Sequence, residues 1–453
     1  MINLLPQKLK NLAAIMRAPL YVVGGSCRDF IARLDRAQHD WDICAPASAE
    51  EVCVAAEKVG LEISAVYKNT GTVRLKGENE EYEFTSFRTD KYVRGEHSPK
   101  EVYFTDDIAL DARRRDFKCN AVYYDIVGGQ FIDPLGGIPE IEGGIISTVA
   151  AAEKVFGEDG LRLMRLCRIA AQTGFKPDDD DCVSGAKKNC ALIGDIAPER
   201  IWAELDLILH ADQKYGKNGA QYDGLKLLHR IGVLEKILPE LALGDGMYQR
   251  EDFHAHDVLE HTFRCVLYAP NDIRLAALLH DAGKPYCMNT TGRFARHEEA
   301  GERIARDICA RLRVSKRQTE RVCELVRWHM YDIGGVTSEN KVKKFIVAHY
   351  GVLDELLMLK QADYSACKDD LSVAPVVKRW KNILSSMVSS GVPMTLKELK
   401  IRGDELIGAG ICPDEVGKTL NFLLGECAIG AVAKEKERLL KLALSQSGAR
   451  KGR

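Results

Sequence analysis

The chain has 453 residues, of which 46% are hydrophobic and 29% are charged, and its formal net charge is −2. This length predicts about three domains, and this composition excludes intrinsic disorder as the main state of the chain. The near-zero net charge excludes a protein that is uniformly basic and binds nucleic acid over its whole surface.

The N-terminal residues lack the basic and apolar regions of a signal peptide, and no apolar stretch reaches the ~18 residues of a membrane-spanning helix. The fourteen cysteines are spread along the chain and form no C-x-x-C pair. We therefore expect reduced thiols and a soluble cytoplasmic protein that has no membrane partner.

Residues 20–135 consist of short apolar segments and turns, which predict a mixed α/β domain. The predicted strands are 20–23, 40–44, 66–67, 72–75, 81–85 and 120–125. The polar segment 91–111 predicts a long mobile loop. From about residue 150 onward the apolar residues recur with helical periodicity. We divide the chain into a head (1–140), a helical neck and body (141–245), a histidine-rich helical domain (246–370) and a helical C-terminal part (371–453).

The strongest motif lies in the head, where G-G-S-C-R-D at 24–29 is followed by D-W-D at 40–42. Because side chains alternate along a strand, Asp40 and Asp42 share one face. Adjacent carboxylates repel each other unless a cation lies between them, and Mg²⁺ binds one or two carboxylates together with phosphate oxygens. Glu83, on a neighbouring predicted strand, is a candidate third ligand. Gly25 lets backbone amides approach a phosphate, and Arg28 adds a bidentate donor.

Three later segments follow in order: R-R-R-D-F-K-C-N-A at 113–121, E-D-G-L-R-L-M-R-L-C-R at 158–168 and P-E-R-I-W-A-E-L at 198–205. Together with the glycine pair and D-W-D, they resemble the class II CCA-adding enzyme and bacterial poly(A) polymerase family. The resemblance implies a nucleotidyltransferase head of the polymerase-beta-like kind with a mixed sheet, followed by an all-helical neck and body. It also implies that Arg115 and Asp116 contact the ribose and triphosphate of a nucleotide.

The segment 158–168 is predicted to be a buried helix that selects the nucleotide. Asp159 and Arg162 would then be i, i+3 neighbours on one helix face. Cytosine and adenine each present an amino donor beside a ring-nitrogen acceptor, so an Asp acceptor next to an Arg donor accepts both bases and rejects uracil and guanine. Arg165 would reach the triphosphate or the base, and Arg168 would support the others. The alternative is that these arginines form only structural ion pairs.

Six of the eleven histidines lie between His254 and His329. His261, the doublet His280-Asp281 and the distant Asp363 resemble the metal ligands of the HD phosphohydrolase family. Imidazole and carboxylate ligands together suit a transition-metal ion, while His297 and His329 are candidates for a second ion or for phosphate binding. The alternative is an HD fold that has kept its helices and has no activity.

The resemblance implies an enzyme that adds CTP and ATP to the 3′ end of tRNA. It would build or repair the CCA terminus in a protein-templated, Mg²⁺-dependent reaction that releases pyrophosphate. The HD domain is predicted to be a metal-dependent phosphodiesterase or phosphatase. Two alternatives remain: a poly(A) polymerase or A-adding-only enzyme of the same family, and an RNA phosphohydrolase whose head only grips RNA. The sequence does not indicate an oligomeric state.

Overall fold

The structure is a computed structural model that describes residues 1–34, 41–91, 100–250, 252 and 254–451, with the side chains of 447–451 left out. Its contacts divide the chain into two compact units. The first unit contains 1–242 and 311–314, and the second contains 243–310 and 315–453. The four-part division expected from the sequence stays a prediction.

A seven-stranded mixed sheet forms the centre of the head, in the order β3-β4-β5-β2-β1-β8-β9. Its strands are β1 (Tyr21–Val23), β2 (Trp41–Ala45), β3 (Glu62–Tyr67), β4 (Thr72–Lys76), β5 (Glu81–Ser86), β8 (Tyr123–Asp125) and β9 (Phe131–Ile132). The strands β2 and β5 are parallel, and the other neighbouring pairs are antiparallel. Two smaller sheets pair β6 (Arg88–Lys91) with β7 (Glu101–Phe104) and β10 (Ile145–Ile146) with β11 (Lys176–Pro177).

Alternation along the strands separates the two faces of this sheet. Val22, Ile43, Phe84 and Val73 lie in one row across β1, β2, β5 and β4, and all four are buried. The neighbouring row on the opposite face carries Asp42, which is exposed. One face of the sheet is therefore covered by an apolar core, while the face of Asp42 carries both this exposed carboxylate and a second buried apolar cluster around Val23.

Helices cover the sheet and then make up the rest of the first unit. They are α1 (Gln7–Ile15), α2 (Gly25–Ile31), α3 (Ala49–Lys58), α4 (Ile108–Arg113), α5 (Gly137–Gly143), α6 (Ala152–Glu158), α7 (Leu161–Thr173), α8 (Ser184–Asn189), α9 (Pro198–Leu209), α10 (Ala211–Tyr215), α11 (Ala220–Arg230), α12 (Leu234–Ile237) and α13 (Pro239–Ala242). The prediction of a loop at 91–111 is wrong for the described residues of this segment. Residues 101–104 form β7, which pairs with β6, and α4 begins at Ile108.

The second unit is helical throughout the part that is described. Its helices are α14 (Val258–Tyr268), α15 (Arg274–Leu279), α16 (Gly283–Thr291), α17 (His297–Arg311, whose last residue belongs to the first unit), α18 (Lys316–Trp328), α19 (Glu339–Ala348), α20 (Leu353–Lys368), α21 (Pro375–Ser389), α22 (Gly403–Gly408), α23 (Val416–Ala428) and α24 (Lys436–Lys451). Among the helices described here, none combines the length and apolar composition needed to cross a membrane. The predicted fold class, a mixed-sheet head followed by helical domains, is confirmed.

Candidate functional site

A row of charged residues crosses the open face of the head sheet. Asp42 on β2 lies opposite Glu83 on β5, and Glu83 lies opposite Arg74 on β4. The Nε atom of Arg74 is 3.3 Å from Oε2 of Glu83, and both side chains are about half exposed. Residues directly opposite each other in a sheet share a face, so the two carboxylates are neighbours, as the sequence predicted. Asp40 lies outside the described residues.

The turn between β1 and α2 lies against the Asp42 carboxylate. Gly24 has a φ of +78°, and an added Cβ there would be 2.9 Å from Oδ2 of Asp42. A side chain at this position is therefore excluded by both backbone conformation and contact. Gly25 follows this turn and begins α2, so the glycine pair and the strand that carries Asp42 meet at Gly24.

Arg28 is buried on α2 and is held by several protein groups. Its Nε and Nη2 atoms donate to Oδ1 of Asp29 at 2.9 and 2.7 Å, and its Nη1 donates to Oδ1 of Asn120 at 2.9 Å. The hydroxyl of Tyr215, at the end of α10, donates to Oδ2 of Asp29 at 2.7 Å. Burial lowers the pKa of Arg28, but Asp29, Cys119 and Tyr215 together raise it above its usual value. The guanidinium is thus charged and fixed in position.

Asn120 connects Arg28 to a second buried carboxylate. Its Nδ2 donates to Oδ1 of Asp116 at 3.1 Å, and the backbone amide of Phe117 donates to the same oxygen at 2.8 Å. On the other side, Nε and Nη2 of Arg165 lie 2.8 and 2.6 Å from Oδ2 of Asp116. Burial raises the pKa of Asp116, but Arg165 outweighs burial and holds it well below its usual range. One chain of contacts thus runs from α2 of the head to α7 of the neck.

Asp111 organises the arginine-rich segment and is fully buried. Its Oδ1 accepts from Nε of Arg114 at 2.7 Å, and its Oδ2 accepts from Nη2 of Arg115 at 2.9 Å and from the hydroxyl of Tyr123 at 2.7 Å. Burial raises the pKa of Asp111, but Arg115 and Arg114 outweigh burial and hold it well below its usual range. The sequence analysis missed this residue, although an acid four residues before Arg115 is a recognisable pairing signal.

The predicted helical pairing of Asp159 with Arg162 is wrong. The helix α6 ends at Glu158, Asp159 has extended backbone angles, and α7 begins only at Leu161. Asp159 instead caps α7, because its Oδ1 accepts from the backbone amide of Leu161 at 3.0 Å. Such local side-chain bonds compete with helix formation. Gly160 adds a tertiary reason, since an added Cβ there would lie 2.6 Å from the carbonyl oxygen of Leu192.

The arginines of α7 all have acidic partners. Nη1 of Arg162 lies 2.9 Å from Oε2 of Glu158, and its Nη2 donates to the carbonyl oxygen of Arg114 at 2.8 Å. Nε of Arg168 donates to Oε2 of Glu204 on α9 at 2.6 Å, and the supporting role predicted for Arg168 stays a prediction. Arg165, with 37% of its side chain exposed, is much more accessible than Arg162.

In the second unit, four motif residues converge on one point. His261 on α14 has its Nε2 3.3 Å from Nε2 of His280 and 3.1 Å from Oδ1 of Asp363 on α20. Oδ2 of Asp281 is 3.4 Å from Nε2 of His261 and 3.1 Å from Nε2 of His280. The ligand atoms of His261, His280 and Asp363 are close enough together to hold one ion.

The other oxygen of Asp281 faces a second group. Its Oδ1 lies 3.2 Å from Nε2 of His297 and 3.8 Å from Nε2 of His329. The two Nε2 atoms of His297 and His329 are 3.2 Å apart. Burial, followed by the charge of His297, lowers the pKa of His329 to about 3, which keeps this imidazole neutral. Asp281 is therefore placed to bridge two cation positions.

Backbone bonds fix the tautomer of three of these rings. In each case the Nδ1 atom lies within hydrogen-bonding distance of a carbonyl oxygen three residues earlier: His280 with Ala277 at 2.8 Å, His297 with Phe294 at 2.9 Å and His329 with Val326 at 2.7 Å. A carbonyl only accepts, so Nδ1 carries the proton and Nε2 faces the cluster in all three rings. Burial lowers the pKa of His280, but Asp281 and Cys265 together raise it well above its usual value, so a metal ion would take the place of the proton on its Nε2. The residues therefore fit a divalent metal site.

We expect the replacement of Asp111 by Asn to destabilise the first unit by about 3–5 kcal/mol, because it leaves the buried guanidinium groups of Arg114 and Arg115 without their counter-charge. The matched control is Glu83→Gln, which breaks the exposed pair with Arg74 and should cost no more than about 1 kcal/mol. Urea unfolding followed by circular dichroism measures both. Equal losses in the two variants would contradict the role given to Asp111.

Three family models match the chain. The Poly A polymerase head domain matches 20–147, the "Probable RNA and SrmB- binding site of polymerase A" matches 175–243, and the HD domain matches 254–366. The crystal structure of the Bacillus stearothermophilus CCA-adding enzyme in complex with CTP has a TM-score of 0.67 at 21% identity and covers 99% of this chain and 100% of that chain. This likeness supports the fold.

Curated relatives show the family. The chain is 38% identical to the CCA-adding enzyme of Geobacillus kaustophilus (strain HTA426) over 189 residues and to that of Streptococcus sanguinis (strain SK36) over 225 residues. These alignments cover 42% and 49% of this chain and span about half of the relatives, 45% and 51%. It is 30% identical to the "Multifunctional CCA protein" of Neisseria meningitidis serogroup C (strain 053442) over 345 residues, 72% of this chain and 76% of that protein. The chain therefore belongs to the class II CCA-adding enzymes of the tRNA nucleotidyltransferase and poly(A) polymerase family, and it contains an HD domain.

Proposed function

We propose that the chain adds CTP and ATP to the 3′ end of tRNA and so builds or repairs the CCA terminus. The observation that carries this proposal is the placement of the Asp42 carboxylate against the Gly24 turn, in one row with Glu83. Family membership supports the same reaction class. In each cycle the 3′ oxygen of the RNA forms a bond to the α-phosphorus, the bond to the β-phosphate oxygen breaks, pyrophosphate leaves and the hydroxyl proton passes to solvent.

The carboxylate row fits a Mg²⁺ site. Asp42 and Glu83 are adjacent and exposed on one face, so a bound cation would reduce the repulsion between their carboxylates. Arg74 already neutralises part of the charge of Glu83. Asp40 and Asp42 are the proposed ligands, with Glu83 as a third. When bound, Mg²⁺ would neutralise charge on the phosphates and on the leaving pyrophosphate.

The arginine network of the head is proposed to hold the nucleotide. Arg115 is fixed by Asp111, and Arg165 is fixed by Asp116, so their positions do not depend on a ligand. Guanidinium groups that are already oriented lose little entropy when they bind a triphosphate. Arg28 lies in the same contact chain and is proposed to orient Asn120 and, through it, Asp116.

Base selection is proposed to rest on Asp159 and Arg162, although not as neighbours on one helix face. The Oδ2 atom of Asp159 lies 4.0 Å from Nη2 of Arg200 on α9, while Oδ1 is used in the cap of α7. Arg162 is buried and held by Glu158. In this arrangement Asp159 accepts a hydrogen bond from the amino group of cytosine or adenine. Arg162 either donates to the base or fixes the segment 158–162 in position.

A second activity is proposed for the HD domain, the metal-dependent hydrolysis of phosphoesters, with 2′,3′-cyclic phosphates at damaged RNA ends as the proposed substrates. The inward Nε2 atoms and the bridging position of Asp281 support it. His261, His280, Asp281 and Asp363 are the proposed ligands, and a transition-metal ion suits their mixed nitrogen and oxygen donors. When bound, the ion would activate water as the nucleophile. Hydrolysis of the phosphorus–oxygen bonds would free the hydroxyl that the head extends.

We expect Asp42→Ala to lower CTP incorporation into tRNA that lacks its terminus by at least about a hundredfold, since one electrostatic group at the reacting phosphate is lost. Asp40→Ala should behave in the same way. The matched control is Glu81→Gln on the same exposed face of β5, which should keep its activity. Labelled-CTP incorporation measures the effect, and full activity in both aspartate variants would exclude the proposed metal ligands.

Asp159→Ala and Arg162→Ala are each expected to admit UTP or GTP. Losing one buried hydrogen-bond partner costs about 1–3 kcal/mol, or roughly five- to a hundredfold in selectivity. Competition among the four nucleotides on the same tRNA measures this ratio. The control is Glu158→Gln, which weakens the ion pair with Arg162 and leaves the side chains of Asp159 and Arg162 in place. Variants that lost stability but kept their selectivity would favour structural ion pairs alone.

For the HD domain we expect hydrolysis of a 2′,3′-cyclic phosphate to disappear when a chelator is added and in the double variant His280→Ala with Asp281→Ala. Nucleotide addition by this double variant, assayed with fresh Mg²⁺, should be unchanged, because its head is intact. Continued hydrolysis in the double variant would show that the activity does not come from the proposed HD metal site. If the wild-type chain bound no transition metal, the HD domain would have only a structural role.

A further inference from the structure

A third group of ligand-type side chains lies beside the HD cluster, and two of its three members have no place in the activities proposed above. It consists of His254, which precedes α14, His261 on α14 and Cys367 in the last turn of α20. One ligand atom from each of the three lies within 4.8 Å of the others. Thiolate and imidazole donors together are characteristic of zinc sites.

Two nitrogen atoms of this group are buried without a partner. The Nδ1 atoms of His254 and His261 have no hydrogen-bond partner among the residues that the structure describes, and His261 is fully buried. A buried polar atom without a partner is costly. After Nε2 of His261 is used in the HD cluster, its Nδ1 is still available as a ligand atom. A metal ion would provide the missing partners.

Backbone and side-chain contacts hold the segment before α14 beside the end of α20. The amide of Ala255 donates to the carbonyl oxygen of Cys367 at 2.8 Å, and the ammonium group of Lys368 donates to the carbonyl oxygen of Asp252 at 2.9 Å. His256 has its Nε2 3.6 Å from Oδ2 of Asp369. His254 and Cys367 therefore come together because of the fold, and little reorganisation is needed to bind an ion.

We propose that His254, His261 and Cys367 form an additional metal site for an ion of the Zn²⁺ or Co²⁺ class, in which His261 is shared with the HD cluster. The imidazole of His261 bridges the two positions through its two nitrogens. Binding replaces the thiol proton of Cys367 and the second ring proton of His261, and both protons are released to solvent. Three protein ligands leave a fourth, open position.

The electrostatic surroundings include charges of both signs. Burial, followed by the charge of Lys284, lowers the pKa of His254 to about 4, whereas Asp281 and Asp363 act in the opposite direction. His254 is therefore a neutral ligand at neutral pH. The two carboxylates favour a nearby divalent ion, while Lys284, 2.6 Å from Asp281, opposes it. The site shares only His261 with the HD cluster, and its other two donors, His254 and Cys367, have no role in either proposed activity.

Cobalt distinguishes this site from the HD cluster, because only a thiolate ligand gives a sulfur-to-cobalt charge-transfer band in the near ultraviolet. The full chain is stripped of metal with a chelator and titrated with Co²⁺ alone. We expect the band in the wild type and in Asp281→Asn, which removes a ligand of the HD cluster only. We expect its loss in Cys367→Ser. The matched control is Cys427→Ser, a buried cysteine on α23, which should keep the band.

His254→Ala provides an independent test that leaves every cysteine in place, and we expect it to weaken the Co²⁺ affinity of the thiolate site by about tenfold or more. Circular dichroism of the metal-free variants checks that they fold. If Cys367→Ser fails to fold, the His254→Ala titration decides. A wild type without the band, a band that survives Cys367→Ser, or an unchanged affinity in His254→Ala would overturn the proposal.

Discussion

Two buried carboxylates, Asp111 and Asp116, hold the arginines on which the head site depends. Asp111 lies on α4 and Asp116 lies between α4 and β8, and each has a pKa held below its usual range by the guanidinium groups around it. Ion pairs of this kind are expensive to bury, and removing one partner costs more than the pair itself contributes. The arginines are therefore fixed before any nucleotide binds, and the contact between Asp116 and Arg165 fixes α7 against the sheet.

The fold class and the strand that carries Asp42 could be predicted from the sequence because they depend on local patterns. Alternation placed Asp42 on an exposed face, and the glycine pair marked the turn beside it. Which strands become neighbours is a nonlocal property, so the register that sets Asp42 opposite Glu83 came only from the structure. The helix predicted through Asp159 was wrong, because helical periodicity does not reveal that Gly160 lies against the backbone of Leu192.

Long-range partners explain what the sequence analysis missed. Tyr215 reaches Asp29, which lies far away in the sequence, and nothing near either residue indicates their contact. In the HD domain the motif singled out four residues that the structure brings together, and their role as metal ligands stays a prediction. The tautomers could not be predicted, because they depend on carbonyl oxygens that the ends of helices leave available, as at His280 and His329.

The most direct measurement of the central claim is the mass of a tRNA without its CCA terminus after incubation with the full chain, Mg²⁺ and all four nucleotides. The account predicts one product, larger by two cytidylates and one adenylate, with no further growth. That outcome requires base selection and termination by the protein itself. A ladder of adenylates would indicate a poly(A) polymerase, a single added adenylate an A-adding enzyme, and an unchanged mass would contradict nucleotide addition altogether.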